Sequence, residues 1–173
     1  MPELITDLNI LSQLAEAHRD DFEVLRYMLE LRDDLDDAEI DRYVNEIAAP
    51  IVEAVDCTAC ANCCRSLDVY VTAHDVTRLA DGLHTTPESI DQTYIEHKTA
   101  QQQGEWGKFQ QQPCVFLKNK LCSVYTHRPE SCRTYPMFTP NFRWTMQYMI
   151  DGAGQCPIIY NVLDQLVEAV DQL

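Results

Sequence analysis

Cys57-Thr58-Ala59-Cys60-Ala61-Asn62-Cys63-Cys64 places four of the eight cysteines in one short run. A Cys-x-x-Cys step lets two thiolates reach one ion while the backbone between them turns and its amides face the sulfurs. Zinc sites and iron–sulfur clusters both use this step. Here two such steps overlap, and a fourth thiol stands beside the third. Cys114, Cys122, Cys132 and Cys156 are spread along the second half of the chain. The expectation is that the fold returns these four to the first four around bound metal. The expected metal is zinc or iron, an iron–sulfur cluster being one form of the iron.

Spacing narrows the chemistry. Cys57-x-x-Cys60-x-x-Cys63 matches the leading part of a bacterial ferredoxin run, but Cys64 follows at once where that run would wait. Cys156-Pro157 echoes the closing Cys-Pro pair from far away. The Cys-x-x-x-Cys-x-x-Cys spacing of radical-SAM enzymes is not met. Adjacent side chains diverge by about 100° in a helix and oppose each other in a strand. Cys63 and Cys64 are therefore expected to serve different metals, or different atoms of one cluster. Thiolates on one tetrahedral ion lie about 3.8 Å apart. Each such pair repels by roughly 4 kcal/mol at an effective dielectric near 20. Free thiols titrate near pH 8.5, so metal binding is expected to release protons and order the region. Buried cysteine also serves as a small hydrophobe, but the run from Cys57 to Cys64 is too dense for that use. Of His18, His74, His84, His97 and His127, read as surface or capping residues, His127 is the best candidate for an added ligand.

The elements that must position these thiols are mainly helical. Leu8, Leu11 and Leu14 recur at helical spacing, as do Phe22, Leu25 and Leu29, and then Ile40, Val44, Ile47, Ile51 and Val55. The acidic stretch from Arg32 to Asp37 predicts a break with aspartate capping the next helix, which Pro50 kinks or splits. Leu67 to Val71 alternates like a short strand. Thr72 with Asp75 predicts a capping box, and Thr86-Pro87 a second helix start running through Ile90, Tyr94 and Ile95. The glutamine-rich stretch from Thr99 to Gln112 reads as a linker, pinned to the core by Trp106 and Phe109. Cys114 to Leu117 and Leu121 to Tyr125 predict a β-hairpin, and Pro129 a helical turn around Cys132. Arg143 to Ile150 reads as strand or buried coil, and Cys156-Pro157 opens a last helix. The expected fold class is mainly α with a short β-hairpin and an irregular cysteine-rich metal-binding centre. It forms a single domain over 1–173, with helical segment 1–56, metal-binding core 57–156 and C-terminal helix 157–173.

Composition bounds the partners. The chain has 173 residues, 46% hydrophobic and 24% charged, as in an ordinary globular protein. Its net charge of -15 repels a phosphate backbone, so no nucleic-acid partner is expected. No apolar run is long enough to span a bilayer, and no signal peptide is visible, so the expected location is cytoplasmic. There cysteines stay reduced, and an even count points to metal or redox chemistry.

Val55 to Arg65, with its Cys57-x-x-Cys60-x-x-Cys63-Cys64 core, resembles the opening of the YkgJ-type cysteine-cluster family, the CxxCxxCC proteins. Pro113-Cys114-Val115-Phe116-Leu117, Cys122-Ser123-Val124-Tyr125 and Arg128-Pro129-Glu130-Ser131-Cys132-Arg133-Thr134-Tyr135-Pro136 resemble its second block. Ala61 stands where the family often has glycine. The resemblance implies a zinc- or iron-chelating domain. A related cluster occurs in flagellin lysine methylases, where an iron–sulfur centre is the expected cofactor, but no glycine-rich SAM site is recognisable in this chain. Arg128 and Arg133 are expected to offset thiolate charge and tie loop carbonyls together. Three readings stand: a cytosolic metal-binding module, an iron–sulfur redox or methyl-transfer enzyme, and an interaction protein with a structural zinc site.

Overall fold

The computed structural model describes residues 3–169. Two compact units emerge, one from residues 1–56 with 136–173 and the other from residues 57–135. No helix among the described residues is long and apolar enough to cross a membrane.

The first unit is a helical bundle. It contains α1 (Leu8–Ala17), α2 (Arg19–Glu30), α3 (Asp37–Ala54), α10 (Phe142–Gly152) and α11 (Pro157–Ala169). Helix α11 is its axis: Ile158, Ile159, Tyr160, Val162, Leu163 and Leu166 are buried, against α3, α10, α2 and α1. The helix expected after Cys156-Pro157 is thus present, and it is buried on all sides only over its first half, Asp164 and Glu168 facing outward. Its one buried amide, Asn161, donates to the Ile5 and Pro157 carbonyls at 2.8 and 2.7 Å and accepts from the Ile5 N–H at 2.9 Å. Asp36 caps α3 through a reciprocal pairing with Glu39, as its sequence predicts, and the helix continues through Pro50.

Residues 143–150 form helix, not strand or coil. Phe142, Met146, Met149 and Ile150 repeat at helical spacing and are buried. Two contacts supplied by distant residues start α10. The Asp41 carboxylate accepts from the Asn141 and Phe142 N–H groups at 2.7 and 2.8 Å. Buried Arg143 donates to the Arg32 and Leu35 carbonyls at 3.1 and 2.5 Å and pairs with Asp37 at 2.9 Å.

The second unit has its own core. Helices α6 (Ala73–Leu83) and α7 (Pro87–Tyr94) pack together beside a three-stranded sheet of order β1-β3-β2. Its strands are β1 (Tyr70–Val71), β2 (Ile95–Glu96) and β3 (Gly107–Phe109). Val71, Val76, Leu79, Ile90, Ile95, Phe109, Phe116 and Val124 form one buried cluster. Both helix starts match expectation, with Thr72 and Asp75 in a capping box and Thr86 capping a helix that opens on Pro87. His84 ends α6 in the left-handed conformation. Ile95 leaves the helix that its spacing suggested and enters β2.

The expected linker from Thr99 to Gln112 instead contains α8 (Lys98–Gln102) and the central strand β3. Gly107 explains how a polar, glycine-containing stretch holds that place. A Cβ there would stand 2.7 Å from Ile95 Cγ2, so only glycine lets β3 approach β2 so closely. Lys108 pairs with Asp68 at 2.8 Å across the sheet's edge. Phe109 pins the stretch to the core as expected, whereas Trp106 stays 41% exposed.

His97 fastens this sheet. Its Nδ1 lies 2.8 Å from the Trp106 carbonyl oxygen and its Nε2 lies 2.8 Å from Asp91 Oδ1. Both partners only accept, so both ring nitrogens must carry protons. The Trp106 carbonyl, together with Asp91 and Glu96, holds the imidazolium above its usual titration range against the opposing effect of burial. A raised folded value means that the contribution is complete below the unfolded value of about 6.5 and is lost as pH rises through the folded one. The thermal stability of this unit is therefore expected to fall as the pH is raised past neutrality. His97→Gln should flatten that dependence, and an NMR titration of the ring reads the same transition directly.

Candidate metal centre

The Cys57–Cys64 run folds as two single helical turns, α4 (Cys57–Cys60) and α5 (Cys63–Ser66). The Ala61 N–H closes the first turn on the Cys57 carbonyl at 2.9 Å, and the Asn62 carbonyl receives Arg65 and Ser66 N–H at 2.9 and 3.0 Å. Ala61 joins the turns in the left-handed conformation, at φ 51°. This is a backbone that glycine adopts freely and alanine at a cost of about 1–2 kcal/mol. Ala61→Gly would relieve that cost but lose a buried methyl worth about 0.8 kcal/mol and free the unfolded chain. The expected net change is under about 1 kcal/mol. Ala61→Val should cost about 3 kcal/mol, being β-branched and too large for this buried left-handed site. Denaturant unfolding of the two variants checks the contrast.

Cys122 and Cys132 arrive on the expected hairpin and helical turn, whereas Cys114 precedes the hairpin in irregular backbone and does not start its first arm. The Cys114 N–H donates to the Cys64 carbonyl at 2.8 Å, joining the two cysteine segments by a backbone bond. The hairpin is present but short, β4 (Leu117–Lys118) against β5 (Leu121–Cys122), with Leu117 opposite Cys122. Asn119 and Lys120 both have positive φ, the two-residue turn that matches strand twist. Cys132 rides on α9 (Glu130–Thr134).

Charge from neighbouring thiols acts on Cys64, Cys114 and Cys132; Cys63 and Cys122 are among its sources, and all five are half-buried. Cys63 donates its S–H to Cys64. That bond raises Cys63 above the usual thiol range, with burial adding to it, and lowers Cys64 against burial and the neighbouring thiols. Cys64 is thus the first of the pair to become the thiolate a metal needs. Burial raises Cys114, and burial with charge from Cys114, Cys63 and Cys122 pushes Cys132 up to about 12. Cys57, exposed, and Cys60, half-buried, occupy the turn just before. Cys156 belongs to the helical unit, where it is buried directly before α11. The eight cysteines form no disulfide. Among the described residues, no three His, Cys, Asp or Glu side chains stand at the spacing of a closed ligand set. The donor chemistry nevertheless fits zinc or iron: soft sulfurs, mutually repelling when ionised, gathered at the edge of a low-dielectric core.

Polar groups brace the thiol segments. Arg65 Nη1 donates to the Cys60 carbonyl at 3.0 Å, wrapping the first turns. Arg133 ties two carbonyls as expected, Thr126 at 2.7 Å and Arg128 at 3.3 Å. Arg128 instead stacks on the Tyr125 ring at 4.0 Å. Asp75, only 2% exposed, reaches across 55 residues to accept the Glu130 N–H at 2.9 Å while also receiving the Thr72 N–H and hydroxyl. Sequence reading placed Asp75 in its cap but missed this second bond; Thr72 three residues before it was the only local signal. His127, the extra ligand considered, has Nδ1 within 2.9 Å of the Thr126 hydroxyl and lies against Gly82, where a Cβ would meet its ring at 2.5 Å.

Comparison with known proteins gives one match. A family model, CxxCxxCC, described as "Putative zinc- or iron-chelating domain", matches residues 56–157 and takes in all eight cysteines. No curated protein matches the chain, and no solved structure does. The match covers more than half of the chain, and the chain belongs to the CxxCxxCC family and carries its zinc- or iron-chelating domain.

Proposed function

We propose that this protein is a cytosolic metal-binding module whose cysteine thiolates hold zinc or iron. The observation that carries this reading is the backbone bond from the Cys114 N–H to the Cys64 carbonyl, at 2.8 Å, which joins the two cysteine segments within one unit, with Cys57 and Cys60 on the adjoining turn. Bound metal would supply the charge that lets neighbouring thiols ionise together. The chain's own contribution is to hold them: Arg65 and Arg133 close the loops, Asp75 anchors the Cys132 turn, and the core beneath Cys114 and Cys122 keeps one side dry. A reducing compartment keeps the thiols available for this role.

The test is anaerobic purification followed by elemental analysis and visible absorption. Stoichiometric zinc in a colourless protein, or iron in a coloured one, is the expected outcome, and a brown protein containing labile sulfide identifies an iron–sulfur form. Cys114→Ser and Cys132→Ser should each lower metal content while His127→Ala leaves it unchanged. A Cys156→Ser variant that loses as much metal makes Cys156 a ligand too. Wild-type protein that binds neither zinc nor iron on reconstitution overturns the reading.

A further inference from the structure

Helix α2 is apolar on two faces. Phe22, Leu25 and Leu29 are buried in the bundle. Val24, Tyr27, Met28 and Leu31 form a second stripe at i, i+3, i+4 and i+7, with Val24, Tyr27 and Leu31 at 58%, 59% and 62% exposure. A surface helix ordinarily needs only the first stripe. On α10, which packs beside α2, Trp144 and Tyr148 stand one turn apart and are also exposed. A shallow depression lined by Asp20, Glu23, Val24, Arg26, Tyr27 and Met28 runs along the same face. Scattered exposed apolar side chains are ordinary, but a contiguous set at helical spacing marks an interaction surface.

Charge selects the occupant. Residues 19–37 contain eight acids and three arginines. The arginines are already engaged: Arg19 with Glu23 and Asp151, Arg26 with Glu23 and Glu30, Arg32 with Asp34. Exposed Asp20 and Asp21 flank the stripe at one end and exposed Asp33 at the other. A second copy would bring another net charge of -15 to this acidic border. From this complementarity we infer that the face of Val24, Tyr27, Met28 and Leu31 docks an amphipathic helix of a partner protein, its apolar side bordered by lysine or arginine. Helix-on-helix recognition reads the same i, i+3, i+4, i+7 spacing that α2 presents.

The probe is a labelled synthetic peptide with leucine on one helical face and lysine on the other, titrated into the full-length, metal-loaded protein. Saturable anisotropy is expected, with affinity falling as salt rises. The Tyr27→Ser, Leu31→Ser double variant should weaken it by about tenfold, as loss of central apolar contacts does, while its circular dichroism stays unchanged because both side chains are exposed. A leucine–glutamate peptide of the same spacing should not bind. Equal binding by wild type and double variant would reduce the effect to bulk charge and overturn the inference. So would tight binding of the leucine–glutamate peptide. Sedimentation showing a wild-type dimer that the double variant abolishes would also overturn it, by assigning the face to a second copy.

Discussion

Cys132→Ser is expected to strip metal from the protein and to open two segments of the second unit to protease, 57–66 and 113–135. The first consists of two single helical turns and the second of a hairpin of two-residue strands and short helical turns, which are too short to order themselves. Metal binding is worth roughly 10–16 kcal/mol in small zinc domains, against whole-domain stabilities of about 5–15 kcal/mol. Even a fraction of it decides whether these turns persist. The rest of the unit has its own support, because α6, α7 and the sheet share Val71, Val76, Leu79, Ile90, Ile95 and Phe109. The helical unit closes around α11. Most helical circular dichroism should therefore survive, and cleavage should concentrate in the two thiol segments. Limited proteolysis with and without a strong chelator, at matched reductant, tests this. Identical cleavage patterns after confirmed metal loss would show that metal does not hold these segments.

Asp75→Ala is expected to cost about 3 kcal/mol, by leaving up to three donors without their acceptor at roughly 1 kcal/mol or more each. The donors are the Glu130 N–H and the Thr72 N–H and hydroxyl. Because Glu130 begins the turn that carries Cys132, the variant should also surrender metal faster to a competing chelator. Asp75→Asn keeps one acceptor oxygen and should fall between wild type and Asp75→Ala in both measurements. If Asp75→Ala lost stability yet released metal at the wild-type rate, Asp75 would be only a helix cap. Stability alone does not separate these outcomes, so the chelator-competition rate is the deciding readout.

What could be read along the chain was what neighbouring residues decide among themselves. Thr72 with Asp75, Asp36 ahead of α3 and Thr86 ahead of Pro87 start helices through contacts within one turn, and each start is where a threonine or aspartate cap is expected. The hairpin around Asn119 and Lys120 is equally local. Helix α10 and strand β3 were not legible in this way. The start of α10 is held by Asp41, 100 residues before Asn141. Strand β3 exists because Gly107 fits beneath Ile95. The Asp41 contact leaves no mark in the α10 segment, where the aromatic and methionine-rich content obscured the helical spacing of Phe142, Met146, Met149 and Ile150, and Gly107 leaves no periodic pattern in β3.

The metal chemistry divides along the same line. The number of cysteines and the overlapping Cys-x-x-Cys steps establish a thiol-rich chelating domain. They do so because sulfur chemistry and close spacing are properties of the residues themselves. Which thiols meet was decided only by the tertiary structure. The backbone bond from Cys114 to Cys64 joins the two cysteine segments, and the tie from Asp75 to Glu130 fixes the turn that carries Cys132. Cys156, similar to the others in sequence, belongs to the helical unit, at the head of α11. Spacing specifies how thiols within one turn relate. Between segments, their meeting depends on chain reversals held by single hydrogen bonds and by apolar contacts remote in sequence.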